Sequence, residues 1–294
     1  MKKYFLFIAL AFVSCTVPLP AVVLQTDFGL KDGAVAEMKG VALSVDPSLQ
    51  LFDISHEIPT YNIWYAAYRL NQAAPYWPKG TVFVSVVDPG VGTDRKSVVL
   101  KTTSGHYFVS PDNGTLTLVA KNLGIAEVRE IDEKINRRKG SEQSNTFYGR
   151  DVYIYTAARL AANKVSFKKV GKKLPKEVVS INYQEAVLNN GVIKGNIPVL
   201  DIQFGNIWTN IPDSVIYKLG VKYGDSLQIE IFNNDSSVFK NTVPLAQTFG
   251  TVAEGNSLAY FNSLMNFSLA VNKGNFSNTY KVYSGPGWSI KISK

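Results

Sequence analysis

Cysteine is almost absent from this chain. Cys15 is the only one in 294 residues, so no disulfide can form within the chain, and cysteine usage says nothing about redox compartment. Histidine is nearly as scarce. His56 and His106 stand far apart in sequence, and with Cys15 near the N-terminus the chain offers too few nitrogen and sulfur donors for a zinc site, so no metal is expected. No phosphate loop or dinucleotide glycine fingerprint occurs. A Ser–His–Asp triad has no nucleophile-elbow motif to support it, and His56, in Asp53-Ile54-Ser55-His56, reads as a hydrogen-bonded structural histidine. Repeats and low-complexity tracts are missing too. The formal charge is +8, but the basic runs Arg137–Arg138–Lys139, Lys168–Lys169 and Lys172–Lys173 fall between apolar segments without interleaved aromatics. They read as solvated surface, and no nucleic-acid partner is expected.

What is present is an ordinary apolar fraction of 46%, enough for a packed core. The length exceeds the roughly 100–200 residues of one domain, so two domains are expected. Residues 1–21 stand apart as a leader. Lys2–Lys3 is a short positive start, and Tyr4 to Val13 is an apolar run too short to span a bilayer comfortably. Cys15 follows Phe12-Val13-Ser14, and a small residue just before a lone Cys resembles a bacterial lipoprotein cleavage site, although Leu is usual where Phe12 stands. Cleavage after Ala21 is the alternative, and a buried first helix is the plainest one. The expectation is an exported protein of the periplasm or cell envelope, with lipid attachment at Cys15.

From Val22 the chain alternates strand and helix. Ala21–Gln25 and Thr81–Val87 are apolar runs suited to a buried parallel sheet, and Leu51–Ile54 is a strand between them. Helical spacing marks Gly33–Val45, Ile63–Ala74, Thr115–Asn122 and Asp151–Ala162, while Ser97–Thr102 and Tyr107–Ser110 read as a hairpin. This predicts an α/β layered domain over 22–182 with a mostly parallel sheet. From Asn190 onward short alternating runs predict an all-β, barrel-like or sandwich domain over 183–294, the last runs being Tyr280–Tyr283 and Trp288–Ile292. Lys173–Tyr183 is the expected linker.

Four stretches gather polar residues where strands end, the place where open parallel sheets bind ligands. Thr26-Asp27-Phe28-Gly29 follows the first strand; Asp27 can grip two ribose hydroxyls or simply cap a helix. Asp88-Pro89-Gly90-Val91-Gly92-Thr93-Asp94-Arg95 follows the third. Its glycines suit any tight turn, but a carboxylate at the mouth of a buried strand wants a partner, and Arg95 is the natural one. Asn145 to Asp151 precedes a helix; Arg150 and Asp151 can form a structural ion pair, and Tyr148 can point into a site. Asp201 to Asn210 mixes the aromatic walls Phe204 and Trp208 with the polar heads Asp201, Asn206 and Asn210, which suits a flat heterocycle or a β-hairpin core.

In this order and spacing these stretches resemble the S-adenosylmethionine hydroxide adenosyltransferase family, which also contains fluorinating and chlorinating enzymes. Ser55-His56-Glu57, Ser110-Pro111-Asp112-Asn113-Gly114, Asn262-Ser263 and Ala270-Val271-Asn272 complete the resemblance, which runs from Val22 nearly to the C-terminus. It implies a homotrimer with sites between the N-terminal domain of one subunit and the C-terminal domain of the next. By position, Asp27 would hold the ribose hydroxyls and Tyr61 would pack beside the sugar. Phe204 and Trp208 would flank adenosine, with Asn206 on the adenine. Asp201 and Ser263 would meet the methionine amine and carboxylate, and Val271 would complete the pocket.

The implied reaction is attack of water at C5′ of S-adenosylmethionine, giving adenosine and methionine with no cofactor. Family hydrolases resemble one another in an Asp, an Arg and a His around the water. Asp88 and Arg95 match the first two, but Tyr148 stands in the third place, and a tyrosine with a reference pKa of about 10 is normally a donor rather than a base. Halogenating members also carry tyrosine there, and the chlorinating one carries glycine next, as Gly149 does here. Those members lack the acidic residue at the Asp88 position, so water is expected as nucleophile and halide is the runner-up. An adenosine-binding lipoprotein without turnover is a different class; a pure binder would need neither Asp88 nor Arg95.

Overall fold

The computed structural model describes residues 21–294. Cys15 and the rest of the expected leader 1–21 lie outside the described residues, apart from Ala21, which begins the first strand. The N-terminal region is built on one six-stranded sheet, in the order β2-β1-β3-β5-β4-β6. Its strands are β1 (Ala21–Thr26), β2 (Gln50–Ser55), β3 (Val82–Val86), β4 (Ser97–Thr102), β5 (Tyr107–Pro111) and β6 (Ile125–Glu130). β2, β1, β3 and β5 run parallel, whereas β4 is antiparallel to both of its neighbours.

Alternation along the strands decides the layers. Val22 and Leu24 join Val82 and Val84 in a core covered by α1 (Ala34–Val45) and α5 (Ile154–Ala161). Val23 and Phe83 face the other way, into a core closed by α2 (Ile63–Ala73) and α3 (Thr117–Leu123). A sheet with helices on both faces explains why β1 and β3 read as largely apolar runs without alternation. β1 passes through α1 to β2 on one side, and the chain then returns through α2 to β3 on the other. The reversal leaves a crevice between the carboxyl ends of β1 and β3, where Asp27 and Asp88 emerge.

The short helix α4 (Glu133–Asn136) precedes the loop that leads to residue 149. There the expected helix begins differently: Gly149–Tyr153 forms a π-helical turn that runs into α5. Such turns widen the backbone at one point and frequently mark functional sites. The segment expected as a linker is strapped across the sheet domain, where Leu174 N–H donates to Val128 O at 2.9 Å and Val179 N–H to Asp112 Oδ1 at 2.8 Å.

Beyond it lie β7 (Val187–Asn189), β8 (Val192–Asn196), β9 (Val199–Asp201), β10 (Asn206–Pro212), the short α6 (Asp213–Ile216), β11 (Ser226–Asn233), β12 (Ser236–Pro244), β13 (Ser257–Phe261), β14 (Asn266–Val271), the short α7 (Phe276–Tyr280) and β15 (Trp288–Ser293). They form two antiparallel sheets, β13-β14-β10-β9 and β12-β11-β15-β8-β7, around a core that includes Ile207, Ile229, Leu269 and Ile290. The region is built on antiparallel sheets as expected, with two short helices added, but its sheets stay separate, and no closed barrel forms among the described residues.

One local reading is corrected, and two strands are added. Residues 280–283 are not a strand: Asn275 caps α7 by accepting the Asn278 N–H at 2.7 Å, and Lys281 in the left-handed region ends it. β6 and β12 were not evident in the sequence. β6 carries Glu127, Arg129 and Glu130, and β12 presents Ser236, Ser237, Lys240, Asn241 and Thr242 with only Phe239 and Val243 turned inward. Edge strands with so few apolar positions give little period-two signal.

The two regions meet through Trp64, whose indole N–H donates to Pro198 O at 3.1 Å, and through Arg69, which donates to Leu200 O at 2.7 Å. One packing point in the sheet domain admits a direct test. Gly171 passes so close to β6 that an added Cβ would lie 2.0 Å from Glu130 O, a backbone atom that cannot swing aside. Gly171→Ala is expected to cost about 1–3 kcal/mol through overpacking, lowering the thermal midpoint by several degrees. Calorimetry giving an unchanged midpoint would contradict this packing.

Candidate active site

Asp88 leaves the end of β3 and is met by Arg95 in a two-pronged ion pair. Arg95 Nε lies 3.0 Å from each carboxylate oxygen, and a terminal nitrogen lies 2.6 Å from Oδ2. Both side chains are almost enclosed, at 6% and 11% exposure. Burial alone would weaken the Arg95 cation, but the bonds to Asp88 outweigh it and hold its pKa above the ordinary value. Arg95 also reaches Ser97 Oγ at 3.2 Å, which in turn meets the Tyr153 hydroxyl at 3.1 Å. Tyr153 is fully buried, and that burial pushes its phenol far up, so it serves as a neutral prop.

The loop is set by its neighbours. Asn113 Nδ2 donates to Val87 O at 2.8 Å, immediately before Asp88. Gly92 adopts φ +79° beside the Asn145 carbonyl, a conformation that favours glycine. Across the crevice, Asp27 Oδ2 accepts the Tyr61 N–H at 2.8 Å, and Tyr61 is held at φ 64° with its ring largely exposed. A tyrosine in the left-handed region is uncommon, and here the bond to Asp27 helps to hold it. His56 bridges Thr26 Oγ1 at 2.8 Å and Asp53 Oδ1 at 3.0 Å. The trio has the outline of a triad, but Thr26 is sealed from solvent, so His56 is the structural histidine the sequence indicated. His106 is likewise engaged, with Trp77 O and Ser104.

Asp27, Tyr61, Asp88 and Tyr148 line one cavity of about 270 Å³, together with Phe28, Thr60, Phe147 and Gly149. Arg95 stands behind Asp88. The remaining expected residues, Asp201, Phe204, Asn206, Trp208, Ser263 and Val271, line a second cavity of about 690 Å³ on the β-domain. No lining residue is shared between the two. In the second cavity Asn206 and Asp201 are paired across β9 and β10, with Nδ2 donating to Oδ2 at 3.2 Å. Gly205 turns the chain at φ +67° against Asn275, and Phe204 is left 63% exposed at the rim.

Tyr260 was missed by sequence reasoning. Burial, with Asp201 adding to it, pushes its phenol up to about 12, so it lines the cavity as a neutral group. It lies in a short alternating strand, β13, where nothing but the adjacent Asn262-Ser263 hinted at a site.

Asp151 has no exposed surface and is gripped by Arg150 at 2.8 Å and Arg138 at 3.0 Å, while Arg150 also reaches Glu37 at 2.7 Å. It anchors the turn that carries Tyr148. Burial would raise its pKa, but the two arginines win and lower it. A depressed folded pKa means the stabilisation is complete above the unfolded carboxylate value of about 4 and is lost as pH falls through the folded one. Asp151→Asn is therefore expected to cost about 2 kcal/mol at neutral pH, with the difference from wild type narrowing below about pH 4. Denaturant titrations at several pH values would show it, and a pH-independent difference would contradict the ion-pair account.

Two family models match the chain: SAM hydroxide adenosyltransferase N-terminal domain over residues 22–171 and the corresponding C-terminal domain over residues 195–289. An (R)-S-adenosyl-L-methionine hydrolase of Methanocaldococcus jannaschii is 40% identical over 218 residues, covering 72% of this chain and 74% of that protein. A hydrolase of the same name from Salinispora tropica is 32% identical over 269 residues, covering 91% and 96%. A fluorinase of Nocardia brasiliensis is 30% identical over 299 aligned residues, covering 93% and 97%. Among solved structures, an uncharacterized conserved protein from Thermotoga maritima superposes with a TM-score of 0.86 at 35% identity, covering 93% of this chain and all of that one.

Proposed function

This chain belongs to the SAM hydroxide adenosyltransferase family, and from that membership we propose how its residues carry out hydrolysis of S-adenosylmethionine to adenosine and methionine. The observation that carries the assignment is Asp88, held by Arg95 behind it, in the wall of the cavity that Asp27 also lines. Asp27 takes the ribose hydroxyls and Tyr61 covers the sugar. Water attacks C5′ in line: the O–C5′ bond forms, the C5′–S bond breaks, and its electron pair returns to sulfur as neutral methionine leaves. The water proton passes to Asp88. Arg95 keeps that carboxylate in place, and Tyr148 positions the water. The sulfonium loses its charge along this path, so a site closed to solvent favours the step, and positioning supplies much of the rest. No cofactor enters.

Halide attack is the second reading, because Tyr148 and Gly149 resemble the chlorinating members. The Asp88 carboxylate at the same wall repels an anion and favours water. Purified protein without halide is expected to release adenosine and methionine. Asp88→Asn should lose most of kcat while substrate still binds, and Tyr148→Phe should stay within roughly tenfold of wild type, the scale of one lost neutral hydrogen bond. Formation of 5′-chloroadenosine alone, and only with chloride, would replace the hydrolase assignment with the halogenase one. Binding without any product would indicate a ligand-binding protein.

The division of the expected residues between two cavities supports a homotrimer in which the β-domain of one subunit completes the crevice of the next. Asp201, Phe204, Asn206, Trp208, Ser263 and Val271 would then hold the adenine and methionine ends of a substrate whose C5′ lies at Asp88. Mixing inactive Asp88→Asn subunits with inactive Trp208→Ala subunits should restore part of the activity, because some interfaces then pair two intact halves. No recovery after verified subunit exchange would place each site within one chain. The leader supports export with lipid attachment at Cys15. Cys15→Ala should move the protein out of the membrane fraction, and unchanged fractionation would favour cleavage after Ala21 instead.

A further inference from the structure

Arg137–Arg138–Lys139 reads in the sequence as a solvated basic run, and the structure corrects this for its first two members. Arg138 reaches into Asp151, as described above. Arg137 is only 10% exposed, and its guanidinium carbon lies 4.7 Å from the centre of the Tyr148 ring. The guanidinium carbon of Arg95 lies at the same 4.7 Å from that centre. The ring that borders the nucleophile cavity is therefore held by two cations, an arrangement aromatic faces favour.

Neither cation is free to drift. Arg95 is locked by Asp88 and Ser97. Arg137 is tied to Glu133 Oε2 at 2.5 Å, to Ser144 O at 2.9 Å and to Ser141 O at 3.4 Å. Each arginine also brings its own carboxylate, so the cavity wall gains no net charge that would repel a cationic substrate. A tyrosine hydroxyl that moves cannot orient a water.

We propose that Arg137 is a positioning residue for the reaction: with Arg95 it holds the Tyr148 ring in one orientation, so that the phenol oxygen stays directed at the attacking water. The proposal rests on the assignment of Tyr148 to the nucleophile cavity. Arg137→Met keeps the length of the side chain and removes the cation. It should lower kcat about fivefold with KM within about twofold, the scale of one lost cation–π contact. Arg137→Lys should recover part of the loss, since it keeps the charge without the planar stack. In a Tyr148→Phe background the hydroxyl is gone, and Arg137→Met should then change kcat by less than about twofold. A role confined to shaping the loop would lower kcat by the same factor in both backgrounds, and that result would overturn the proposal. A second readout needs no turnover. With Tyr148 replaced by 3-fluorotyrosine, the wild-type fluorine resonance should be single and sharp, and Arg137→Met should shift and broaden it. An unchanged resonance would overturn the clamp even in a protein that hydrolysed nothing, whereas a normal clamp in a protein releasing no adenosine would count against the functional assignment alone.

Discussion

The ion pair between Asp88 and Arg95 is the constraint around which the N-terminal half is arranged. A carboxylate at the end of a buried strand is costly unless a hydrogen-bonded cation meets it, and here the partner comes from the far side of the same loop. Pairing the two closes the Asp88–Arg95 loop, places Asp88 in the cavity wall and turns Arg95 onto Tyr148. Ser97 and Tyr153 support the arginine from below. Removing either member would leave the other as an uncompensated charge with little access to water.

The surroundings show the same economy of charge. Asp151 is shared by Arg150 and Arg138, and Arg137 by Glu133. These pairs fix the turn from Tyr148 to Asp151 without adding net charge beside the cavity. That balance suits a reaction in which a positive sulfonium becomes a neutral thioether. A strongly cationic wall would repel the substrate.

Much of the fold was legible because the residues that make it are apolar and periodic. β1 and β3 are largely apolar runs without alternation, which suits strands in a sheet covered on both faces. α2 carries its signal in Trp64, Tyr65, Ala67 and Tyr68, all buried. β6 and β12 were not legible, since edge strands present charges and hydroxyls outward. The short α7 was misread because a single cap at Asn275 and a left-handed Lys281 outweigh the apolar alternation of Tyr280 to Tyr283. Which of the two alternatives, barrel or separate sheets, the β-domain adopts was left open by the sequence, because closure depends on pairing between edge strands and not on the pattern within any one of them.

The sequence by itself determined the chemistry available: an aspartate after each of two parallel strands, an arginine seven residues beyond the second, and an aromatic–amide cluster in the β-domain. It determined these because residue type and strand ends are local properties. The tertiary structure decided how they are grouped. It set Asp27 and Asp88 across one crevice, left Asp201, Asn206 and Trp208 in a separate cavity, brought Tyr260 in beside them, and turned Arg137 from surface to Tyr148. Those groupings come from strand order and loop paths over long sequence separations, which no local pattern encodes.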